Sequence, residues 1–237
     1  MKRALAYSVS AFALTWAASA LADSPQIKGS FAFTGEASCL VSPGHADATT
    51  PLLQNPTPGA LLPGAGFNDK LQPNDIANPS PNQPNPPPGA VGQVSFTRSF
   101  SVIGVRTFDG NGNGHVSGTA LGIDGRPTPG PTGWPHFPPS AGSGEFSFDF
   151  TYTVDGDGGF TATMTPDSYH ETFTSGPRTG QTVTVDAIPP ITGAISGDGK
   201  TLSAAHADPV VETRTFSNGD VWPEICHRSR IFIQLQN

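Results

Sequence analysis

The chain has 237 residues, of which 28 are Gly and 25 are Pro; charged residues make up 13%, and the formal charge is -7. Gly and Pro cost about 1 and 3 kcal/mol in helix interiors, which excludes a helical bundle or coiled coil. The acidic balance leaves no basic footprint for nucleic acid, and the low charge density excludes a chain held open by its own repulsion.

Residues 1–22 read as a secretory signal. Lys2 and Arg3 form a charged start, Ala4 to Trp16 an apolar stretch, and Ala20-Leu21-Ala22 a small-x-small cleavage site. Ser and Thr interrupt the apolar run and no stop-transfer pattern follows, which argues against a membrane anchor. Cleavage before Asp23 would leave one domain over 23–237, destined for the periplasm or the extracellular space. Without Lys2 and Arg3, the 12 Lys+Arg fall to 10 against 19 Asp+Glu.

The first period-two segment spans 27–38, where Ile27, Phe31 and Phe33 share a face with Gly29, Gly35 and Cys39. The chain has two cysteines, Cys39 and Cys226, and an oxidising compartment makes a disulfide between them the expected state. Closing a loop of that length is worth on the order of 5 kcal/mol as an upper figure. No CxxC or CxxH spacing supports a metal pair, and no metal or cofactor is expected. The stretch 40–92 holds 12 of the 25 prolines, including Pro86-Pro87-Pro88, and reads as an irregular or polyproline-II insertion. It is either a surface excursion or, functionally, a lid or a partner-binding arm.

In the second segment, 93–108, Val94, Phe96, Phe100, Val102 and Phe108 alternate, and Arg98 and Arg106 fall on the same phase. An inward Arg pairs with a ligand carboxylate or a buried acid. Alternatively, Gly104 marks a bulge or these positions reach the barrel mouth. Next, Asp109, Asn111, Asn113 and Gly114 match the opening of a calcium loop, but position 12 is Ala120 rather than a bidentate Glu. A hairpin turn accounts for the same residues.

A segment at 114–124 precedes a second Pro-rich loop, 125–144. Phe146, Phe148, Phe150, Tyr152 and Val154 then alternate with Ser147, Asp149, Thr151 and Thr153 in the segment 145–154. Segments 159–174, 181–196, 200–217 and 226–235 follow, separated by Asp-Gly and Asn-Gly turns. Pro166, Pro189, Pro190 and Pro209 place bends or bulges in the first three of these. In the last, His227 shares phase with Ile231, Ile233 and Leu235 and is expected to point inward. His170 and Glu171, being adjacent, face opposite sides. His45, His115, His136 and His206 lack ligand spacing.

Eight consecutive segments, most of them joined by tight turns, predict an all-β, antiparallel up-and-down barrel, with a β-sandwich as the alternative. A disulfide between the first and last segments suits closure. A membrane barrel requires aromatic girdles, and Trp134, Trp222, Tyr152 and Tyr169 are too few to build them.

Gly29-Ser30-Phe31, with Arg228 or Arg230 in the last segment, resembles the G-x-W strand and C-terminal Arg of lipocalins. Phe148-Asp149-Phe150-Thr151-Tyr152-Thr153-Val154 and its Asp-Gly turns resemble allene oxide cyclase-like barrels. The chain thus resembles the calycin-like barrels, and also exported bacterial proteins of unassigned function. That resemblance implies a fold and a cavity, and carries over no catalytic residue. No GxSxG, HExxH, P-loop or GxGxxG signature assigns an enzymatic activity. The expected function is binding of a small apolar ligand by an inward face built from Phe31, Phe33, Phe96, Arg98, Phe100, Arg106, Phe146, Phe148 and Phe150. A structural or interaction module using the Pro-rich arm, and a cyclase- or isomerase-like enzyme, are the alternatives.

Overall fold

The computed structural model describes residues 27–42, 66–67, 69–73, 95–125, 139–219 and 221–236. The signal segment, most of the two Pro-rich stretches, His45 and His136 lie outside them. Among the described residues, eleven strands form a single antiparallel sheet: β1 (Lys28–Val41), β2 (Phe96–Asp109), β3 (Asn113–Gly125), β4 (Ser140–Val154), β5 (Gly159–Met164), β6 (His170–Phe173), β7 (Thr182–Asp186), β8 (Ile191–Ile195), β9 (Thr201–His206), β10 (Val211–Phe216) and β11 (Val221–Gln234). No helix occurs among the described residues, and so none is long and apolar enough to cross a membrane.

The eight-segment meander closes as expected. β1 pairs with β2 on one side and β11 on the other, completing the ring β1-β2-β3-β4-β5-β8-β9-β11. The eight strands are not spaced evenly round an axis, so the ring lies between a barrel and a sandwich. What alternation did not reveal is that segments 159–174, 181–196 and 200–217 each split into two strands. The splits fall at Pro166, at Pro189-Pro190 and at Pro209, where a residue without an N–H cannot continue the ladder.

The three splits lie side by side and divide that part of the wall into two tiers. In one tier β5, β8 and β9 run from Phe150–Val154 of β4 to Ser229–Ile233 of β11. In the other, β6, β7 and β10 run from Gly144–Ser147 of β4 to Val221–Ile225 of β11. Each tier has its own apolar core. The first gathers Phe31, Phe108, Phe150, Phe160, Leu202 and Phe232; the second gathers Val41, Phe96, Val183, Phe216 and Trp222 around the disulfide. Phe108 meets Phe31, Phe150 and Tyr152 edge-on at 5.2, 5.3 and 5.0 Å. Such pairs add about 0.5–1.5 kcal/mol each beyond area burial.

Several boundaries and orientations differ from the sequence reading. β1 runs on to Val41 and β4 begins at Ser140, so both Pro-rich stretches are shorter than 40–92 and 125–144. Gly104 is not a bulge. It sits in unbroken register between Phe33 and Gly118, where a Cβ would collide with the Ser117 carbonyl and the Gly118 backbone. His227 faces outward and is exposed, as are its phase-mates Ile231 and Ile233, because the inward phase of β11 is Trp222, Glu224, Cys226, Arg228 and Phe232. Ile231-Phe232-Ile233 is apolar on both phases, so alternation alone could not choose between them. The outer face is also less polar than a dry-inside, wet-outside sheet implies: Ile103 of β2 is 62% exposed, and Leu121 and Ile123 of β3 and Ile231 and Ile233 of β11 are exposed too.

Candidate functional site

Where the two tiers meet, the interior holds a cavity of about 100 Å³. An apolar cavity of about 150 Å³ accepts benzene, which sets the scale of an occupant here at a short chain or a small ring. Phe33, Phe100, Phe146, Phe148 and Phe150 line it together with Ala120 and Met164. Residues flanking all three splits also reach it, namely Met164 and Tyr169, Ile188 and Pro189, and His206. The interrupted wall therefore borders the cavity.

Of the nine residues expected to form an inward binding face, seven surround this space: Phe33, Arg98, Phe100, Arg106, Phe146, Phe148 and Phe150. Phe31 and Phe96 do not. Phe31 is fully buried against Phe108, and Phe96 packs edge-on against Trp222 at 5.3 Å. Arg228 and Arg230 both line the cavity. Arg230 Nη1 donates to the Glu36 and Ser229 carbonyls.

Arg98 and Arg106 are 7% and 6% exposed, so both side chains are buried. Arg98 Nη1 donates to Glu224 Oε2 at 3.1 Å, and its Nε lies 3.6 Å from Asp124. Glu224 also sits 3.9 Å from Arg214 and 4.0 Å from Arg228. Arg214 Nη2 donates to Glu171 Oε2 at 2.7 Å, and Tyr169 donates its phenol proton to the same oxygen at 2.9 Å. Arg228 grips both oxygens of Glu212. Burial works against the Glu171 carboxylate, but Arg214 and Arg98 outweigh it and hold its pKa below the usual range. Burial, and then Glu171, push the Tyr169 phenol up, so it stays protonated.

Arg106 differs from the others. Its guanidinium lies between two rings, 4.4 Å from the Phe150 centroid and 4.9 Å from that of Phe232. Its Nε and Nη1 are buried without a hydrogen-bond partner among the described residues. Desolvation, with Arg230 nearby, pulls its pKa down to about 9, which still leaves it charged at neutral pH. A face-on ring gives a cation some stabilisation, but much less than a carboxylate does.

Sequence reading did not anticipate Tyr169, Glu171, His206, Glu212, Arg214 or Glu224. A signal was present: Glu212 and Arg214 share phase with Phe216, and Glu224 and Arg228 share phase with Cys226, so their charges lie on the buried side of β10 and β11. The calcium-like turn binds itself. Asp109 Oδ1 accepts the Asn111 and Asn113 amides at 2.7 and 3.0 Å, as in a hairpin. His170 and Glu171 do face opposite sides, Glu171 buried and His170 exposed. Cys39, Cys226 and Glu224 come together, but the two sulfurs are bonded to each other.

His206 is half-buried and lies close enough to the Cys226 carbonyl for its Nδ1–H to donate at 3.2 Å. Desolvation, then Arg228 with Arg230 and His227, lowers its pKa from 6.5 to about 4. The unfolded ring takes up a proton near 6.5 and the folded ring only near 4, so protonation favours the unfolded chain. The stabilisation is complete above about pH 6.5 and is lost as pH falls toward 4. Discounted for the water that the ring still meets, the loss is on the order of 1 kcal/mol. Urea midpoints of the wild type measured from pH 7 to 4 should fall more steeply than those of His206→Asn, and parallel curves would contradict this assignment.

No family model, curated protein or solved structure matches the chain.

Proposed function

We propose that the protein binds a small, partly apolar molecule within the ring, at the level where the wall is broken. The supporting observation is the cavity itself, a space lined by phenylalanine rings at the junction of two separately packed cores. Well-packed interiors leave few voids larger than a water molecule, so a void of this size in the middle of a strongly aromatic core calls for an occupant. The three adjacent proline splits supply a route, because the wall there lacks continuous ladder hydrogen bonds. The Cys39–Cys226 disulfide fits an exported protein in an oxidising compartment.

A cyclase- or isomerase-like enzyme is the second reading, favoured by the convergence of Tyr169, Glu171 and His206 on the cavity. Binding is preferred because Glu171, the carboxylate beside Tyr169, is held below its usual range by Arg214 and Arg98, which makes it a poor proton acceptor.

Saturating benzyl alcohol is expected to raise the thermal midpoint by several degrees, since binding to the folded state stabilises by about 2.7 kcal/mol at 100 times Kd. Ala120→Leu, which places extra methyl groups in the cavity, should abolish that shift while far-UV circular dichroism stays unchanged. Equal shifts in both proteins would move the binding site elsewhere, and no shift with any small aromatic probe would refute the reading.

A further inference from the structure

From the charges around this cavity we infer that its natural occupant is a small organic carboxylate, its apolar body among the Phe rings and its anionic head on Arg106. The inference rests on the binding reading above and adds the chemical class of the ligand.

Five guanidinium groups line the cavity, those of Arg98, Arg106, Arg214, Arg228 and Arg230. Three buried carboxylates, Glu171, Glu212 and Glu224, answer Arg98, Arg214 and Arg228. Among the described residues, Arg106 and Arg230 have no carboxylate within ion-pair distance. Arg230 uses Nη1 on two backbone carbonyls. Arg106 has no such recourse: Nε and Nη1 are both unsatisfied, on a side chain 6% exposed.

An uncompensated buried charge is strongly disfavoured, and a buried donor left without an acceptor loses its hydration for nothing. Nε–H and the Nη1–H bonds point from different edges of the planar guanidinium, so each unsatisfied donor offers its own charge-assisted hydrogen bond to a carboxylate oxygen. The Phe150 and Phe232 rings lie 4.4 and 4.9 Å from the guanidinium carbon and limit where the head group can move before a ligand arrives. Phe146 and Phe148 stack at 6.3 Å beside them and offer an apolar wall to the rest of the molecule. A neutral ligand would leave the surplus charge in place, and a cationic one would add to it.

The test compares benzoate with the near-isosteric neutral benzyl alcohol and the cationic benzylamine, by calorimetric titration of the disulfide-bonded protein in chloride-poor buffer. Benzoate is expected to bind at least about tenfold more tightly than benzyl alcohol, with benzylamine weakest. In Arg106→Met, which retains the bulk without the charge, that preference should vanish while benzyl alcohol still binds. The unliganded variant should also be no less stable than the wild type, whereas a merely structural Arg106 would make it less stable. Equal affinity of the wild type for benzoate and benzyl alcohol would overturn the carboxylate inference and leave the cavity reading standing. Failure of all three probes to bind would remove both.

Discussion

Glu224→Ala is expected to lower the free energy of unfolding by about 3–5 kcal/mol, the cost of removing one partner from a buried ion network. Glu224 is 0% exposed and three guanidinium groups converge on it: Arg98 at 3.1 Å, Arg214 at 3.9 Å and Arg228 at 4.0 Å. Without it, among the described residues, Arg98 keeps only Asp124 at 3.6 Å, while Arg214 and Arg228 each keep a single Glu. Urea denaturation at neutral pH measures the effect. A loss below about 1 kcal/mol, the range of exposed pairs, would mean that water reaches the network. The physical cause can be separated from simple cavity formation by the combined variant Arg98→Met/Glu224→Leu. Removing charge from both sides should be less damaging than Glu224→Ala alone, because it strands fewer charges.

The second large effect concerns the seam that closes the ring. Cys39 and Cys226 stand directly opposite each other in the β1–β11 ladder, 187 residues apart in sequence. Cys39→Ala/Cys226→Ala is expected to cost about 2–5 kcal/mol, toward the upper end because the loop is long. The strands would still pair through eleven consecutive register positions from Phe31 to Val41. The fold should therefore persist in the variant, with unchanged far-UV circular dichroism and a lower denaturant midpoint. An unchanged midpoint would imply that the unfolded chain already keeps its ends together. Hydrogen exchange should show the largest loss of protection along β1 and β11, the strands that only this pairing joins.

Much of the architecture was legible because sheets repeat with period two and tight turns need particular residues. The Phe alternation in 145–154 and 93–108 identified the buried faces of β4 and β2, and carried Arg98 and Arg106 inward with them. Asp-Gly and Asn-Gly pairs marked the corners. Two cysteines in the first and last segments allowed only one intramolecular disulfide, and it lies on the closing seam. The candidate site was legible in part, through those seven inward residues. The carboxylates that answer the arginines come from β6, β10 and β11, which touch β2 only across the interior. No spacing along the chain relates Glu224 to Arg98, 126 residues earlier.

The sequence by itself determined an all-β antiparallel chain of about eight segments and the places where prolines interrupt it, because periodicity, turn chemistry and proline position are local properties. Only the tertiary structure decided that three neighbouring segments break at the same level, which turns isolated prolines into one interruption of the wall. It alone also chose the inward phase of β11, where apolar side chains occupy both faces, and turned His227 out. Finally, it decided which charges neutralise one another. That outcome depends on distances across the ring interior, and it is what leaves Arg106 without a carboxylate among the described residues.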